Sequence, residues 1–510
     1  MEKQEYILTQ DIGIFSCKAA LFRLNGEIVR QNTVYYQPCH NEQGWCWESP
    51  EVWWESFCKN CKTLLLDIPP ESVRVVSLCG QMMSCLCVDE NIRPLGSCIT
   101  WDDKRSIQQT QLISTLLDPV ETHRITGTPP LHSSSLSKIL WLKQCQPEIY
   151  EKSYRFIQCK DYINYLLTGH LVTDETDAGF TQMYDLFEKH WSDRILDACG
   201  IDRSKLPEVI PSGTPLGRVT PQASAQCGLS PQTLVVEGVG DGRAPAIGSG
   251  ILNPGEGCIH LSSSSWISQV TRSREIDTKH AITKASYIQP DTYVNGGTIL
   301  SGHLCADWYL KTFFNDQLPP DKKDWDQFMA QELARTTVGS KGLLFMPYLR
   351  GERAPWYNTY AKGGFIGLTS RHTRYDFYRS ILEGVSFQLA LVKNSIEALE
   401  PFTSLRLVGN CVSPQWQQIL SDVLEMDLIS SDVTTNVGCV GVAMLAGVAA
   451  GIYSDHTSIA RFHHNQFITT PIQEHVEVYQ ELIPAFEDCY LALQDINQHL
   501  SQINLPWENG

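Results

Sequence analysis

The chain has 510 residues, 42% hydrophobic and 19% charged, with a formal net charge of −17. That length allows two or more domains, each with its own core, and the balance of residue types excludes a disordered chain. The acidity argues against general nucleic-acid binding and leaves room for a local anion site.

The opening residues run straight into a strand pattern, with neither the basic nor the apolar region of a signal peptide. The longest run of small apolar residues, 437–452, carries four glycines. It is shorter than the ~20 residues that cross a bilayer, so a buried helix is predicted and no membrane span. Eighteen dispersed cysteines fit free thiols in a reducing cytoplasm. Cys58-x-x-Cys61 has no second pair at metal-site spacing and reads as part of a helix.

Residues 6–9 predict a strand leading to Asp11-Ile12-Gly13, residues 17–24 a second, and Asn25-Gly26 a hairpin turn before a third. A strand, a tight glycine loop and a second strand can offer backbone N–H groups to a phosphate while a nearby carboxylate holds magnesium through water. Many hairpins also contain Asp and Gly. Lys18 could add a positive charge there or sit solvated. Ser49-Pro50-Glu51 opens a helix running to about residue 66.

Residues 73–78 form a continuous apolar strand ending in Cys79-Gly80-Gln81-Met82-Met83-Ser84, a candidate pocket edge. Trp101-Asp102-Asp103-Lys104-Arg105 is a dense polar cluster after a strand, either a site or a solvated loop. Helices are predicted at 137–144 and from Lys160 to Thr168. A Pro-, Gly- and Ser-rich stretch, 207–220, then precedes a strand at 233–237.

That strand runs into Gly238-Val239-Gly240-Asp241-Gly242-Arg243. Glycines on both sides let the backbone bend sharply, so Asp241 should project with little cover, as a general base requires. Asp-Gly is equally the pair that ordinary turns use. The second half repeats the opening of the first: strand 257–261, the loop Ser262-Ser263-Ser264-Ser265, and a returning strand. This suggests a duplicated unit with a ligand between its halves. Residues 345–355 read as a strand breaking into a charged loop, and 374–399 as a long helix. The strand 405–408 bends through Gly409-Asn410-Cys411-Val412-Ser413 into a helix at 414–424, a turn whose N–H groups can face a nucleotide. An amphipathic helix ends the chain.

Taken together, these residues resemble the FGGY carbohydrate kinases, and within them the xylulokinase-like members, from Asp11 to about Tyr453. Gly363-Gly364-Phe365-Ile366-Gly367-Leu368, then Asp376-Phe377 and Ser380-Ile381-Leu382-Glu383, fit the C-terminal signature of that family. Supporting pieces are Gly80-Gln81-Met82, Trp101-x-Asp103-x-Arg105, Lys160-Asp161, Gly240-Asp241 and Gly351-Glu352-Arg353-x-Pro355.

The resemblance implies an α/β fold of two ribonuclease-H-like domains of the actin and Hsp70 type, with a ligand cleft between them. A sugar-binding unit would span 1–243 and a nucleotide-binding unit 244–510. It implies ATP-dependent phosphorylation of a sugar hydroxyl, a ketopentose such as xylulose first. A kinase of another ketose or polyol, or a degenerate kinase with a binding role, are the alternatives. Asp241 would be the base; Gln81, Met82, Met83, Trp101 and Asp103 would join it at the sugar. Gly13, Ile14, Lys18, Ser263, Ser264, Gly409, Asn410 and Ser413 would meet the nucleotide, and Asp11 with Asp241 a magnesium ion. The partners expected are a small sugar and ATP, with neither nucleic acid nor membrane; a homodimer is compatible with this, and the setting expected is the cytoplasm.

The chain also departs from the pattern of the family it resembles. Ile14 and Phe15 stand where the phosphate loop usually carries hydroxyl residues, and Gly409-Asn410-Cys411-Val412 replaces a Gly-Gly-Gly-Ala segment. Met83 stands where typical xylulokinases have His, and Gly242 where they have Asn. Weakened nucleotide binding and altered sugar selectivity are expected.

Overall fold

The computed structural model describes residues 4–314, 317–319, 324–409, 413–433 and 436–503. Asn410 therefore lies outside the described residues, as do Cys411 and Val412.

Two mixed sheets organise the chain. In the first, Tyr6–Ile12, Ser16–Arg23 and Ile28–Tyr35 form an antiparallel meander, and Tyr6–Ile12 also pairs in parallel with Val73–Gly80, which pairs in parallel with Leu234–Gly240. The second sheet repeats the plan. Glu256–Leu261, Ser265–Thr271 and Tyr293–Ile299 are antiparallel, and Ser404–Val408 and Leu428–Ser431 follow in parallel beside the first of them. Each sheet carries a further antiparallel strand beyond its parallel pair, Pro215–Arg218 in one and Gln466–Thr469 in the other. The duplication expected from two similar openings is thus present in topology, where the sequence similarity is slight.

The boundaries shift by a few residues from those read in the sequence. The first helix runs Pro50–Leu64 behind Ser49, with Pro at its start, and the long one runs Arg374–Glu397. A capping box between Thr373 and Asp376 starts the latter. The chain ends in the helix Gln473–Gln502.

Between the sheets lie the short helix Ala244–Ser249 and the apolar helix Val437–Ala449, whose residues 437–447 are all buried. They touch through glycine. A Cβ on Gly248 would lie 1.9 Å from the Val437 carbonyl oxygen, and one on Gly441 2.3 Å from that of Ala244. The sixteen-residue run at 437–452 is accordingly an interior helix, and among the described residues no helix is long and apolar enough to cross a membrane. These two helices join both halves in one core with Val75, Cys79, Val236, Cys258 and Val294. The cysteines described are free thiols, most of them buried.

Candidate active site

Three parallel strands of the first sheet end side by side, and the chemistry gathers at their carboxyl ends. Gln81 N–H donates to the Ile12 carbonyl at 2.8 Å, and Asp241 N–H to the Gly80 carbonyl at 2.9 Å. This is where open α/β sheets generally bind ligands. Side chains are excluded on the approach to Asp241: a Cβ on Gly238 would lie 1.8 Å from the Leu78 carbonyl oxygen, and one on Gly240 2.5 Å from Met82 Sδ. The glycines allow close strand packing, and the turn they permit brings Asp241 to a cavity of about 300 Å³.

That cavity is lined by Met82, Met83, Trp101 and Asp241 from the first half, and by Ser264, Trp266, Thr298 and Arg353 from the second. Ile14 also reaches it, so the first hairpin loop and the cavity meet. Among the described residues Asp241 is the one carboxylate in its wall. Burial, reinforced by the nearby Asp11 charge, pushes the Asp241 carboxyl up to about 8. Asp11 lies opposite Lys18 on one neighbouring strand and Cys79 on the other. Burial raises its carboxyl too, while the Lys18 charge pulls it back. A pair of carboxylates in which one hinders ionisation of the other is a place where a cation would be favoured.

Behind the site sits a buried charge cluster that sequence reading did not anticipate. Lys160 Nζ lies 3.2 Å from Asp161 Oδ1, 3.2 Å from Asp174 Oδ1 and 3.3 Å from Asp177 Oδ2, and it also donates to Glu237. All five side chains are fully buried. Asn164 donates to the second Glu237 oxygen at 2.9 Å. Thr176, on the short helix after Asp174, accepts the Gly240 N–H at 2.9 Å. The cluster therefore anchors the strand that delivers Asp241, at a position four residues before it and at the residue next to it.

The other sequence-derived residues fall in several places. Met82 and Met83 line the cavity, Met83 with φ +59°. Gln81 is buried away from the cavity wall, donating to Glu48, which Trp53 Nε1 also reaches at 2.9 Å. Asp103 departs furthest from expectation. It is fully buried, accepts the Cys46 and Arg105 N–H groups and pairs with the Arg105 guanidinium at 2.7 Å, so both its oxygens are engaged outside the cavity lining. The polar density that suggested a ligand there is a structural pair, with Arg105 stacked 4.4 Å from the Trp45 ring centroid.

On the nucleotide side, Gly13 N–H donates to Ser16 O at 3.0 Å, closing the turn, and Tyr36 donates to the Gly13 carbonyl at 2.6 Å. Ile14 is buried and Phe15 exposed. The Ser262–Ser265 loop is held by Gly302 N–H on Ser263 O at 2.8 Å, and Ser264 faces the cavity. Gly409 has φ +125°, and a Cβ there would lie 2.1 Å from the Leu261 carbonyl oxygen. That position requires glycine. Ser413 caps the helix Pro414–Leu424 by accepting from Trp416 N–H.

Sequence reading missed Phe180, Arg243 and Thr298 in the cavity wall, and left Arg353 without a role although its motif was visible. Phe180 carries no sequence signal. Its place beside Met82 depends on packing between distant segments.

Two sheets of one plan, with a cavity between them that Asp241 enters, make a two-domain α/β fold of the actin and Hsp70 type. Residues 6–248 match the N-terminal domain, and residues 264–450 the C-terminal domain, of the FGGY family of carbohydrate kinases. The chain belongs to that family, and ATP is its phosphoryl donor by membership. It is 28% identical to the xylulose kinase of Lactococcus lactis over 98% of this chain and 99% of that one. It is 29% identical to the gluconokinase of Bacillus subtilis over 94% of each. The fold is like that of the gluconate kinase from Lactobacillus acidophilus, with a TM-score of 0.89 over 96% of this chain and 98% of the other at 24% identity.

Proposed function

We propose that the protein moves the γ-phosphoryl group of ATP to a hydroxyl of a small open-chain sugar, with Asp241 taking the hydroxyl proton. The observation that carries this reading is the placement of Asp241, the one carboxylate among the described residues of the wall, in an inter-sheet cavity. Residues 1–243 would hold the sugar and 244–510 the nucleotide. A ketopentose such as xylulose is the first candidate, because xylulose kinases recur among the relatives. A sugar acid is the second, because gluconokinases also stand among the relatives.

The reaction needs positioning and charge stabilisation more than covalent chemistry. Burial and the Asp11 charge favour the protonated form of Asp241, which must be ionised to accept a proton. A cation near the two carboxylates favours the ionised form. Asp11 and Asp241 fit the one or two carboxylates with which proteins usually hold magnesium beside substrate phosphates, and magnesium bound there would neutralise phosphate charge. Met82, Met83 and Trp101 would cover the sugar carbon chain and exclude water from the reacting oxygen. Ile14 would close the cavity toward the phosphates, with backbone N–H groups replacing the usual hydroxyls. The proposed setting is the cytoplasm.

ADP release across a panel of ketoses, polyols and sugar acids tests this. Substrate-dependent ADP release with at least one member is expected. None with any member, at saturating ATP and magnesium, overturns the kinase reading.

A further inference from the structure

Lys138 stands where a cation is poorly placed. It is fully buried in the first turn of the helix Ser135–Cys145, at the positive end of the helix dipole, and makes no ion pair among the described residues. Burial holds its ammonium down at about 8. The Asp103 charge acts on it from nearby, but that carboxylate is already paired with Arg105. Neither helix formation nor charge balance accounts for a lysine here.

Its contacts do. Nζ donates to the Met83 carbonyl at 2.9 Å, to the Ser134 carbonyl at 3.2 Å and to the Ser133 carbonyl. An ammonium has three donors and no acceptor, so three carbonyls use it completely. Both segments that it joins belong to the cavity wall: Met83 lines it from one, and Pro129 and Leu131, just before Ser133, line it from the other. Met83 also has φ +59°, left-handed backbone that a side-chain-bearing residue keeps only when its surroundings hold it there. They hold it on each side of the next peptide. Lys138 takes the Met83 carbonyl, Gln158 Oε1 accepts the Ser84 N–H at 2.9 Å, and Ser135 Oγ donates to the Ser84 carbonyl at 2.8 Å. Lys138 extends this hold to the second wall segment.

We propose that Lys138 is a positioning residue for the sugar: its three hydrogen bonds fix Met83 against the loop that carries Leu131, and so set the shape of the wall over the sugar without touching it. The proposal rests on the kinase reading for the identity of the ligand, and on the geometry alone for the clamp.

Lys138→Leu removes every donor, and Lys138→Gln returns two of the three without the charge. Calorimetry on the full chain with D-xylulose, D-gluconate and ATP would be run beside methyl NMR spectra of the methionines, the Met83 signal being identified by its loss in Met83→Leu. A displaced wall commonly costs one to two decades, so the sugar affinity of Lys138→Leu should fall by at least about tenfold while ATP affinity stays within about twofold. The Met83 methyl should shift, and Lys138→Gln should recover part of both effects. Sugar and ATP affinities falling together would overturn the proposal, since that is what loss of structure alone would give. So would an unmoved Met83 methyl, or Gln serving no better than Leu. If Lys138→Leu does not fold, Lys138→Gln decides: a shifted methyl with sugar binding weakened about threefold or more supports the clamp, and a protein like the wild type in both overturns it. Wild-type turnover separates the two claims. No ADP release with any sugar defeats the kinase reading and leaves the clamp to be read in the Met83 methyl, whereas normal turnover with an unmoved methyl in the variants defeats the clamp alone.

Discussion

Replacing Lys160 by Met removes the one cation from a cluster of four buried carboxylates, Asp161, Asp174, Asp177 and Glu237. Burial already holds Asp161 and Asp177 above the ordinary carboxylate range and Glu237 at about 7, with the lysine charge pulling each of the three back. Breaking a buried ion pair from one side costs about 3–5 kcal/mol, because the partner charge stays behind. At roughly 2–4 °C per kcal/mol, the melting temperature at neutral pH should fall by roughly 6–20 °C.

The pH dependence has a defined sign. A carboxylate whose folded pKa lies above its unfolded one contributes stability at low pH and loses it as pH rises through the folded value. Without Lys160 those folded values climb further. The deficit of Lys160→Met should therefore be largest above neutrality and shrink as the pH falls below about 7, where Glu237 takes up its proton. Thermal unfolding of both proteins across that range measures it. A deficit under about 1 kcal/mol, the worth of an exposed pair, or one that grows toward acid pH, would refute the assignment of this cluster as a buried, lysine-dependent anchor.

The Asp11 charge raises the Asp241 carboxyl, so Asp11→Asn should move the acidic limb of the kcat/KM profile down by about one pH unit. It should also raise the magnesium concentration needed for half-maximal rate. An unmoved limb would separate the two carboxylates. Gly409→Ala sets a Cβ 2.1 Å from the Leu261 carbonyl oxygen at a φ of +125°. A loss of about 1–3 kcal/mol in stability is expected from that strain, together with a higher KM for ATP. An unchanged KM would place the nucleotide away from this turn.

Parts of the site were legible because their residue types leave few conformations open. Glycines around Asp241 forced a bend, and the apolar strand before Gly80 fixed where Met82 and Met83 emerge. The strand–loop–strand openings at Asp11 and at Ser262 revealed the duplication, although the sheet order did not follow from them, since parallel pairing joins segments far apart in the chain. Asp103 misled because an exposed polar cluster and a buried ion pair look alike until Arg105 and the Cys46 N–H are in place. Arg243 was in plain view beside Asp241, but its place in the cavity wall against Phe180 is brought about by folding. Lys160-Asp161 matched a family motif, whereas the convergence of Asp174, Asp177 and Glu237 on that lysine is tertiary.

The central claim is that Asp241 accepts the proton of the attacking hydroxyl, and Asp241→Asn tests it most directly, because the amide keeps the shape and loses the basicity. Using the best substrate from the panel, ADP release and calorimetric sugar binding would be measured on the same preparation. Loss of a positioned base typically costs 10²–10⁴-fold, so turnover should fall by at least about 100-fold, with sugar affinity held within about threefold. Turnover within about tenfold of wild type would contradict the role assigned to Asp241.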